Sequence, residues 1–332
     1  MENKILFDYI SNKAVELGAY RACVTEASEI ELDRSFRLAC ESNACGVYGK
    51  CYMCPPDVGD IDELMWEVGK YKYAFVYQTV SELEDSFDFE GMIEAKKKSY
   101  PLAQSVREIF YELNVGNALH LGAGGCGVCE TCAKRTGDPC RFPERATPSL
   151  EAYGINVSSL AKSAGMKYIN GQNTVTYFGA VLFNLEENNI ITYVNGKLKL
   201  ANIGDYLSEI ANSEKPCGGH ARCGKCKVIA TGELSSVTDE ELKLLSDDEL
   251  KFGVRLACLT KALGECEIKS VSDDDGAKIL EWVAISFSRG SSPFKQLTFY
   301  GEQITTEDKP RELLNRVISL QLNGRPDLQR IL

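Results

Sequence analysis

Cysteine is the residue type with the clearest chemistry in this sequence, and most of its 14 cysteines fall into three groups of four. The first group comprises Cys40, Cys45, Cys51 and Cys54, the second Cys126, Cys129, Cys132 and Cys140, and the third Cys217, Cys223, Cys226 and Cys258. Four thiolates are what an all-cysteine zinc site or a cysteine-ligated iron-sulfur cluster requires. The grouping therefore predicts sites for a soft metal.

The third group has nearly the spacing of a plant-type [2Fe-2S] loop, with one extra residue after Cys217. Glycines at 218, 219 and 224 predict a loop that wraps closely and points backbone N–H groups at sulfur. This pattern favours a [2Fe-2S] cluster on all four cysteines over a structural zinc or free thiols. His220 is not expected to be a ligand, because a Rieske-type site needs two histidines on one iron.

The second group repeats the two-residue spacing of bacterial [4Fe-4S] loops, and the first group contributes a further pair with this spacing, Cys51 and Cys54. The eight cysteines are predicted to bind metal as two [4Fe-4S] clusters, as one cluster and one zinc, or as one cluster beside free thiols. In two-cluster ferredoxins the fourth cysteine of a run ligates the other cluster, so Cys54 and Cys140 are candidates for such an exchange.

The composition limits where the protein works and what it binds. The net charge of -11 repels nucleic acid and anionic membrane surfaces. No apolar run is long enough to cross a bilayer, and the first ten residues do not resemble a signal peptide. We therefore expect a cytoplasmic protein, in which clustered cysteines bind metal rather than form disulfides.

The periodicities predict an α+β protein, with an α/β-type N-terminal metal-cluster domain over residues 1–185. The predicted helices and strands of this domain are a helix over 60–69, a strand over 72–80, a helix over 92–113, a strand over 118–121, a helix over 158–164 and a strand over 174–183. The cysteines fall on loops beyond the ends of these elements.

Residues 186–270 are predicted to form a β-grasp [2Fe-2S] ferredoxin domain. It begins with a hairpin around Asn195-Gly196, followed by a helix over 203–211 and strands over 227–230 and 265–269. Thr238 with Glu241 and Ser246 with Glu249 fit the capping-box pattern of two short helices. Residues 271–332 form a tail of uncertain origin, with modest helical patterns over 311–321 and 326–332.

Two family resemblances rest on these motifs. Residues 37–56, 126–143 and 148–154 resemble DUF2284, a family of predicted metal-binding proteins, and this likeness covers about residues 1–183. It implies metal binding but no defined reaction. Residues 216–228, the acidic helices near 240–250 and Arg255-Leu-Ala-Cys258 resemble the ferredoxin domain of corrinoid-protein reductive activators. In that family the [2Fe-2S] domain supplies electrons for corrinoid reduction.

The main functional prediction is an iron-sulfur electron-transfer protein, a low-potential redox component of anaerobic metabolism. Its expected cofactors are a [2Fe-2S] cluster and one or two [4Fe-4S] clusters, and its expected partner is a redox protein, with a corrinoid protein as one candidate. An alternative is a reductase or reductive activator that acts on a corrinoid protein or a small substrate at an N-terminal [4Fe-4S] site. A further alternative is a zinc-stabilised binding module.

Overall fold

The computed structural model describes residues 2–43, 45–270, 296–299 and 302–305. These residues form two compact units, one containing residues up to 192 together with 198–203, the other containing 193–197 and the described residues from 204 onward. Helices and strands occur together, which confirms the predicted α+β class. None of the described helices is both long and apolar enough to span a membrane.

Among the described residues, five α-helices and four strands lie between residues 2 and 183. In chain order they are α1 (Glu2–Glu16), β1 (Arg21–Glu26), α2 (Ser35–Glu41), α3 (Ile61–Val68), β2 (Tyr73–Glu82), α4 (Phe89–Glu112), β3 (Leu119–Leu121), α5 (Val157–Ser163) and β4 (Thr174–Phe183). The strands form one antiparallel sheet in the order β1-β2-β4-β3.

Both faces of this sheet are covered, which explains why the central strand β2 is buried from Tyr73 to Gln78. On one face, Val76 and Leu182 pack against a core that includes Leu160 of α5. On the other face, Phe183 meets Phe110 of α4 with the ring centroids 5.3 Å apart. The sheet is therefore a rigid base for the cysteine loops that follow its strands and helices.

The chain continues with the elements of the second sheet. They are β5 (Asn189–Val194), β6 (Lys197–Asn202), α6 (Leu207–Ile210), β7 (Lys227–Leu234), α7 (Asp239–Leu244), α8 (Asp247–Lys251), β8 (Val254–Leu256) and β9 (Ala262–Ser270). This sheet has the order β6-β5-β9-β7-β8, and two short strands, β10 (Gln296–Phe299) and β11 (Glu302–Thr305), pair separately.

Most predicted elements are present, and both predicted capping boxes are formed, at Thr238 and at Ser246. The helix predicted over 203–211 is limited to Leu207–Ile210, because Gly204 adopts a φ of 95° that a helix does not allow. The sequence predictions did not include α1, β1 and α2, although Leu6, Ile10 and Ala14 are buried at the spacing of a helix.

The predicted domain limits at 185 and 270, and the β-grasp assignment, stay predictions. The helical patterns over 311–321 and 326–332 lie outside the residues that the structure describes.

Candidate metal centres

The first cysteine group lies in and after α2, on a segment that a buried arginine holds in place. Arg37 is one turn before Cys40, and its Nη2 donates to the carbonyl oxygens of Gly59 and Ala152 at 2.9 and 3.4 Å. Gly59 precedes Asp60, whose carboxylate caps α3 by accepting from the backbone N–H groups of residues 62 and 63. The loop that carries Cys45, Cys51 and Cys54 is thus fixed at both ends.

Side-chain contacts bring this loop against the second cysteine group. The Tyr52 hydroxyl donates to the carbonyl oxygen of Asp138 at 2.7 Å. Lys134 forms an ion pair with Asp57. These contacts join segments that are about 80 residues apart in sequence, as the separations of 86 and 77 residues show. Neither pair is identifiable from local spacing.

Five thiols line one common cavity, and we call them the five-thiol group. They are Cys51, Cys126, Cys129, Cys132 and Cys140. The pKa of Cys51 is lowered to about 6, because its sulfur accepts hydrogen bonds from the Cys54 thiol and from the backbone N–H groups of Met53 and Cys126. The Cys132 side chain also contributes to this stabilisation. These hydrogen bonds favour the thiolate form of Cys51.

The other three N-terminal thiols, Cys40, Cys45 and Cys54, line a separate cavity of about 240 Å³, and we call them the three-thiol group. The hydrogen bond to Cys51, followed by burial, raises the pKa of Cys54. Burial also raises the pKa of Cys40, whereas Cys45 is exposed. Ser149 and Glu151 contribute oxygen-bearing side chains to the wall of this cavity, together with Tyr48.

Five of the eight N-terminal cysteines line one cavity and three line the other. The two groups are in contact, because the thiols of Cys51 and Cys54, which line different cavities, are hydrogen-bonded to each other. Cys140 lines the same cavity as its sequence neighbours. The exchange of Cys54 and Cys140 between clusters stays a prediction.

The third cysteine group is in the second unit, on a loop with unusual backbone geometry. Gly218, Gly219 and Gly224 adopt φ angles of 66°, 82° and 63°, and Ala221 adopts 53°. Only glycine takes such angles without strain, which explains its use here. The loop directs the N–H groups of Arg222, Cys223 and His220 at the sulfur of Cys217.

These N–H groups have an electrostatic effect. The pKa of Cys217 is lowered to about 6, first by the N–H of Arg222 and then by the Cys223 side chain. The prediction that the glycines would aim backbone donors at sulfur is confirmed for this cysteine. His220 contributes its backbone rather than its ring to this contact.

The remaining two thiols of the third group meet through sheet pairing. Strands β7 and β8 pair with Lys227 opposite Leu256, and the N–H of Ala257 donates to the carbonyl oxygen of Cys226 at 2.8 Å. The sulfur atoms of Cys226 and Cys258 are 3.2 Å apart, and both residues are buried. Burial, and then the neighbouring Cys226, raise the pKa of Cys258 to about 12.

A buried hydrogen-bond network around Glu241, which no sequence motif predicted, lies next to Cys258. The Glu241 carboxylate accepts from Arg255 Nε at 2.9 Å, from the N–H of Leu256 at 3.0 Å and from the Thr260 hydroxyl at 3.0 Å. These hydrogen bonds lower the pKa of Glu241 against the opposing effect of its burial. The sequence contains one pattern associated with these buried arginines, because Arg-Leu-Ala-Cys occurs at both 37–40 and 255–258. In the structure, the arginine of each segment is buried.

The donor chemistry fits a soft metal or an iron-sulfur cluster. All 14 cysteines are free thiols, and backbone N–H groups point at Cys51, Cys126 and Cys217, as they do at thiolate ligands whose cluster potential is tuned by hydrogen bonds. Among the described residues, no three His, Cys, Asp or Glu side chains are arranged around the position of a single metal ion. Cys23 and Cys266 lie outside the three groups, with Cys23 donating to the carbonyl oxygen of Ala164.

Part of the chain is similar to a component of the Na(+)-translocating NADH-quinone reductase of Neisseria meningitidis. The proteins of serogroup C and serogroup B are each 28% identical over 119 residues, which is 34% of this chain and 29% of the relative. The chain thus spans less than a third of the length of these curated relatives.

A family model matches most of the first unit. Residues 23–183 match DUF2284, described as "Predicted metal-binding protein". This segment contains all eight cysteines of the five-thiol and three-thiol groups. Residues 23–183 are therefore similar to DUF2284, and the family description agrees with the metal binding predicted from their cysteines.

Proposed function

We propose that this chain is an iron-sulfur electron-transfer protein, a low-potential redox component of anaerobic metabolism that works in the cytoplasm. The observation that carries this proposal is the gathering of thiols into separate groups, with backbone N–H groups pointing at their sulfur atoms. Hydrogen bonds from N–H groups stabilise a negative charge on sulfur and so tune the reduction potential of a bound cluster.

The proposed cofactors have candidate ligands in both units. Cys217, Cys223, Cys226 and Cys258 would hold a [2Fe-2S] cluster, and the five-thiol and three-thiol groups would hold one or two [4Fe-4S] clusters. Such clusters supply one-electron transfer, with plant-type [2Fe-2S] potentials of about -400 mV. The protein contributes the thiolates, the N–H donors at Cys51 and Cys217, and the burial that keeps water from Cys226 and Cys258.

The proposed partner is a redox protein, and a corrinoid protein is one candidate. The Neisseria relatives are named as part of an NADH-quinone reductase, so a segment of this chain is similar to part of an electron-handling complex. The acidic net charge of -11 favours a partner with a basic docking surface over nucleic acid or a membrane.

The test is the iron, acid-labile sulfide and zinc content of the full chain, purified without oxygen, together with its visible spectrum. About ten irons per chain would correspond to one [2Fe-2S] and two [4Fe-4S] clusters, and about six to one of each. Zinc without sulfide would contradict the proposal and support the zinc-stabilised binding module. A bleached protein with neither metal would contradict both.

The three-thiol group favours a second candidate function, a reductase or reductive activator. Its cavity of about 240 Å³ is lined by three thiols, of which Cys45 is exposed. A [4Fe-4S] cluster has four irons, so three protein thiolates would leave one coordination position for a substrate or another ligand. Glu151 and Ser149 would then border that position.

Added cyanide can test this second candidate, because it binds an iron that lacks a protein ligand. We expect cyanide to change the electron paramagnetic resonance spectrum of the reduced protein, and we expect the Cys40→Ser variant to lose the affected signal. The Cys23→Ser variant serves as the control, since Cys23 lies outside the thiol groups. No change on adding cyanide would exclude an open iron position and leave electron transfer alone.

A further inference from the structure

A cavity of about 490 Å³ lies in the first unit, next to the thiol groups. It lies beside α4, the sheet strands β2 and β4, and the glycine-rich segment 122–127. Its lining includes Tyr77, Lys97, Tyr100, Gln104, Arg145 and Tyr177. Pockets for small ligands typically measure about 300–1,000 Å³, so this cavity has the size of a binding site.

The charge of the cavity is opposite to that of the chain. Lys97 and Arg145 line it, and none of its described lining residues is Asp or Glu, although the chain has 48 acidic side chains and a net charge of -11. Both cations are exposed enough to meet a ligand. This local reversal of charge favours an anionic ligand over a neutral or cationic one.

Arg145 is held by two hydrogen bonds with Gln104. Its Nε donates to Gln104 Oε1 at 3.1 Å, while Gln104 Nε2 donates to the carbonyl oxygen of Arg145 at 3.2 Å. Arg107 holds the next residues, since its Nη2 donates to the carbonyl oxygen of Ala146 and to Thr147 Oγ1, both at 3.2 Å. Within the described residues, the hydrogen bonds of the Arg145 side chain use Nε, so its Nη groups can form the paired contacts that carboxylates and phosphates accept.

Aromatic rings form the walls, and close packing holds them in place. Tyr100 lies against Gly127 and Tyr77 against Gly179, so closely that a Cβ on either glycine would overlap the ring. The Tyr177 hydroxyl donates to the carbonyl oxygen of Met92 at 2.8 Å. The rings are thus fixed before a ligand arrives, and they favour a flat, unsaturated molecule.

The cavity adjoins both N-terminal thiol groups. Gly124 and Gly125 line it and also line the cavity of the three-thiol group. Cys126 lines it and also lines the cavity of the five-thiol group. A ligand here would therefore lie next to the segment that carries the thiols.

We propose that this cavity binds a small aromatic or unsaturated molecule bearing one oxyanion, a carboxylate or a phosphate, which Lys97 and Arg145 hold while the ring packs against Tyr100. The proposal goes beyond electron transfer, because binding of the molecule does not require that the thiol groups carry electrons. An electron-transfer function would make such a molecule a candidate electron acceptor.

The experiment is isothermal titration calorimetry on the full chain, purified without oxygen, with cinnamate, phenyl phosphate and cinnamamide as probes. Cinnamate tests a carboxylate, phenyl phosphate tests a phosphate, and cinnamamide has the shape of cinnamate without its charge. We expect at least one of the two anions to bind, and cinnamamide to bind at least tenfold more weakly than cinnamate if the carboxylate is the preferred group. Binding should weaken as salt rises, because the two cations are exposed.

The variants Lys97→Gln and Arg145→Gln should each weaken binding of the preferred anion about tenfold or more. Lys98→Gln is the matched control, because Lys98 is the next residue on α4 and does not line the cavity. Unchanged circular dichroism and iron content would show that the variants are folded. Failure of both anions to bind, or equal binding by the Arg145→Gln variant, would overturn the proposal. Iron and sulfide measured on the same samples test the proposed function separately, so either proposal can fail alone.

Discussion

The two units bring their cysteines together in different ways. In the second unit, three of the four ligand candidates come from one ten-residue loop, and the fourth arrives through the pairing of β7 with β8. In the first unit, the candidates come from segments about 80 residues apart that are joined by contacts such as Tyr52 with Asp138. Cysteine spacing in the sequence therefore describes the second site well and the first site poorly.

A second contrast concerns the number of thiols. The third cysteine group offers four, which is the number that a cluster needs. In the first unit, five thiols line one cavity and three line another, and a hydrogen bond between Cys51 and Cys54 joins the two groups. If each of these two groups bound one [4Fe-4S] cluster, the first would have one thiol more than four and the second one thiol fewer, which would leave room for a ligand.

The division of the first unit into two thiol groups predicts the largest effect. Cys40→Ser and Cys54→Ser should each lose the iron of the three-thiol group, about four irons if it holds a [4Fe-4S] cluster, and the double variant should lose no more. Iron and sulfide per chain measure this. The double variant Cys129→Ser with Cys132→Ser should lose the iron of the five-thiol group and keep the iron of the three-thiol group. Additive losses for Cys40→Ser and Cys54→Ser would mean that these cysteines serve different sites.

The difference in thiol number predicts a smaller loss in the second unit. Cys226→Ser should lose about two irons together with the [2Fe-2S] spectrum, because the third cysteine group has no fifth member to replace it. Of the five single serine variants in the five-thiol group, one should keep its full iron content. Iron analysis and the visible spectrum decide this, with Cys23→Ser as the control. A Cys226→Ser variant that keeps all its iron would contradict the ligand assignment.

The two Arg-Leu-Ala-Cys segments allow a matched comparison of stability. Arg255→Met leaves the Glu241 carboxylate buried without its cation and should lower the free energy of unfolding of the second unit by about 3–5 kcal/mol. Arg37→Met removes hydrogen bonds to two carbonyl oxygens and should cost the first unit about 1–3 kcal/mol. The loss of unfolding free energy in Arg37→Met should lie near the lower limit of this range, because the buried Nε of Arg37 has no hydrogen-bond partner within the described residues.

Hydrogen exchange followed by mass spectrometry measures the stability of each unit separately. The control for the first unit is Arg34→Met, which removes an exposed ion pair with Asp62 and should change stability by about 1 kcal/mol or less. The control for the second unit is Lys251→Met, whose ion pair with Asp248 is also exposed. Equal costs for Arg255→Met and Arg37→Met would mean that the buried carboxylate does not distinguish the two segments.

Removal of a helix cap should give the smallest effect, and the loss of stability should be similar in the two units. Asp60→Ala removes the cap of α3 and Thr238→Ala removes half of the capping box of α7, so each should cost about 1 kcal/mol. Thermal unfolding of the two variants measures the cost, and the iron content should stay unchanged. Loss of iron in Asp60→Ala alone would indicate that the cap positions the loop carrying Cys51 and Cys54.

Local patterns in the sequence predicted several features that the structure contains. The capping boxes at Thr238 and Ser246, the strand Thr174–Phe183 and the positive φ angles of Gly218, Gly219 and Gly224 all depend on residues close together in the chain. Their geometry follows from hydrogen bonds and steric limits within a few residues. Such features are accessible without a tertiary structure.

The sequence by itself determined that thiols would be grouped and which backbone segments would carry them. Only the tertiary structure decided that Cys51 and Cys54 lie in different groups, because contacts between the loop 51–57 and the segment 131–141 set their surroundings. The same holds for the cation-lined cavity, where Lys97 and Arg145 line one space because Gln104 of α4 is hydrogen-bonded to Arg145, which follows the second cysteine group. Long-range packing has no local sequence period, and for that reason the number and surroundings of the thiols at each site appeared only in the fold.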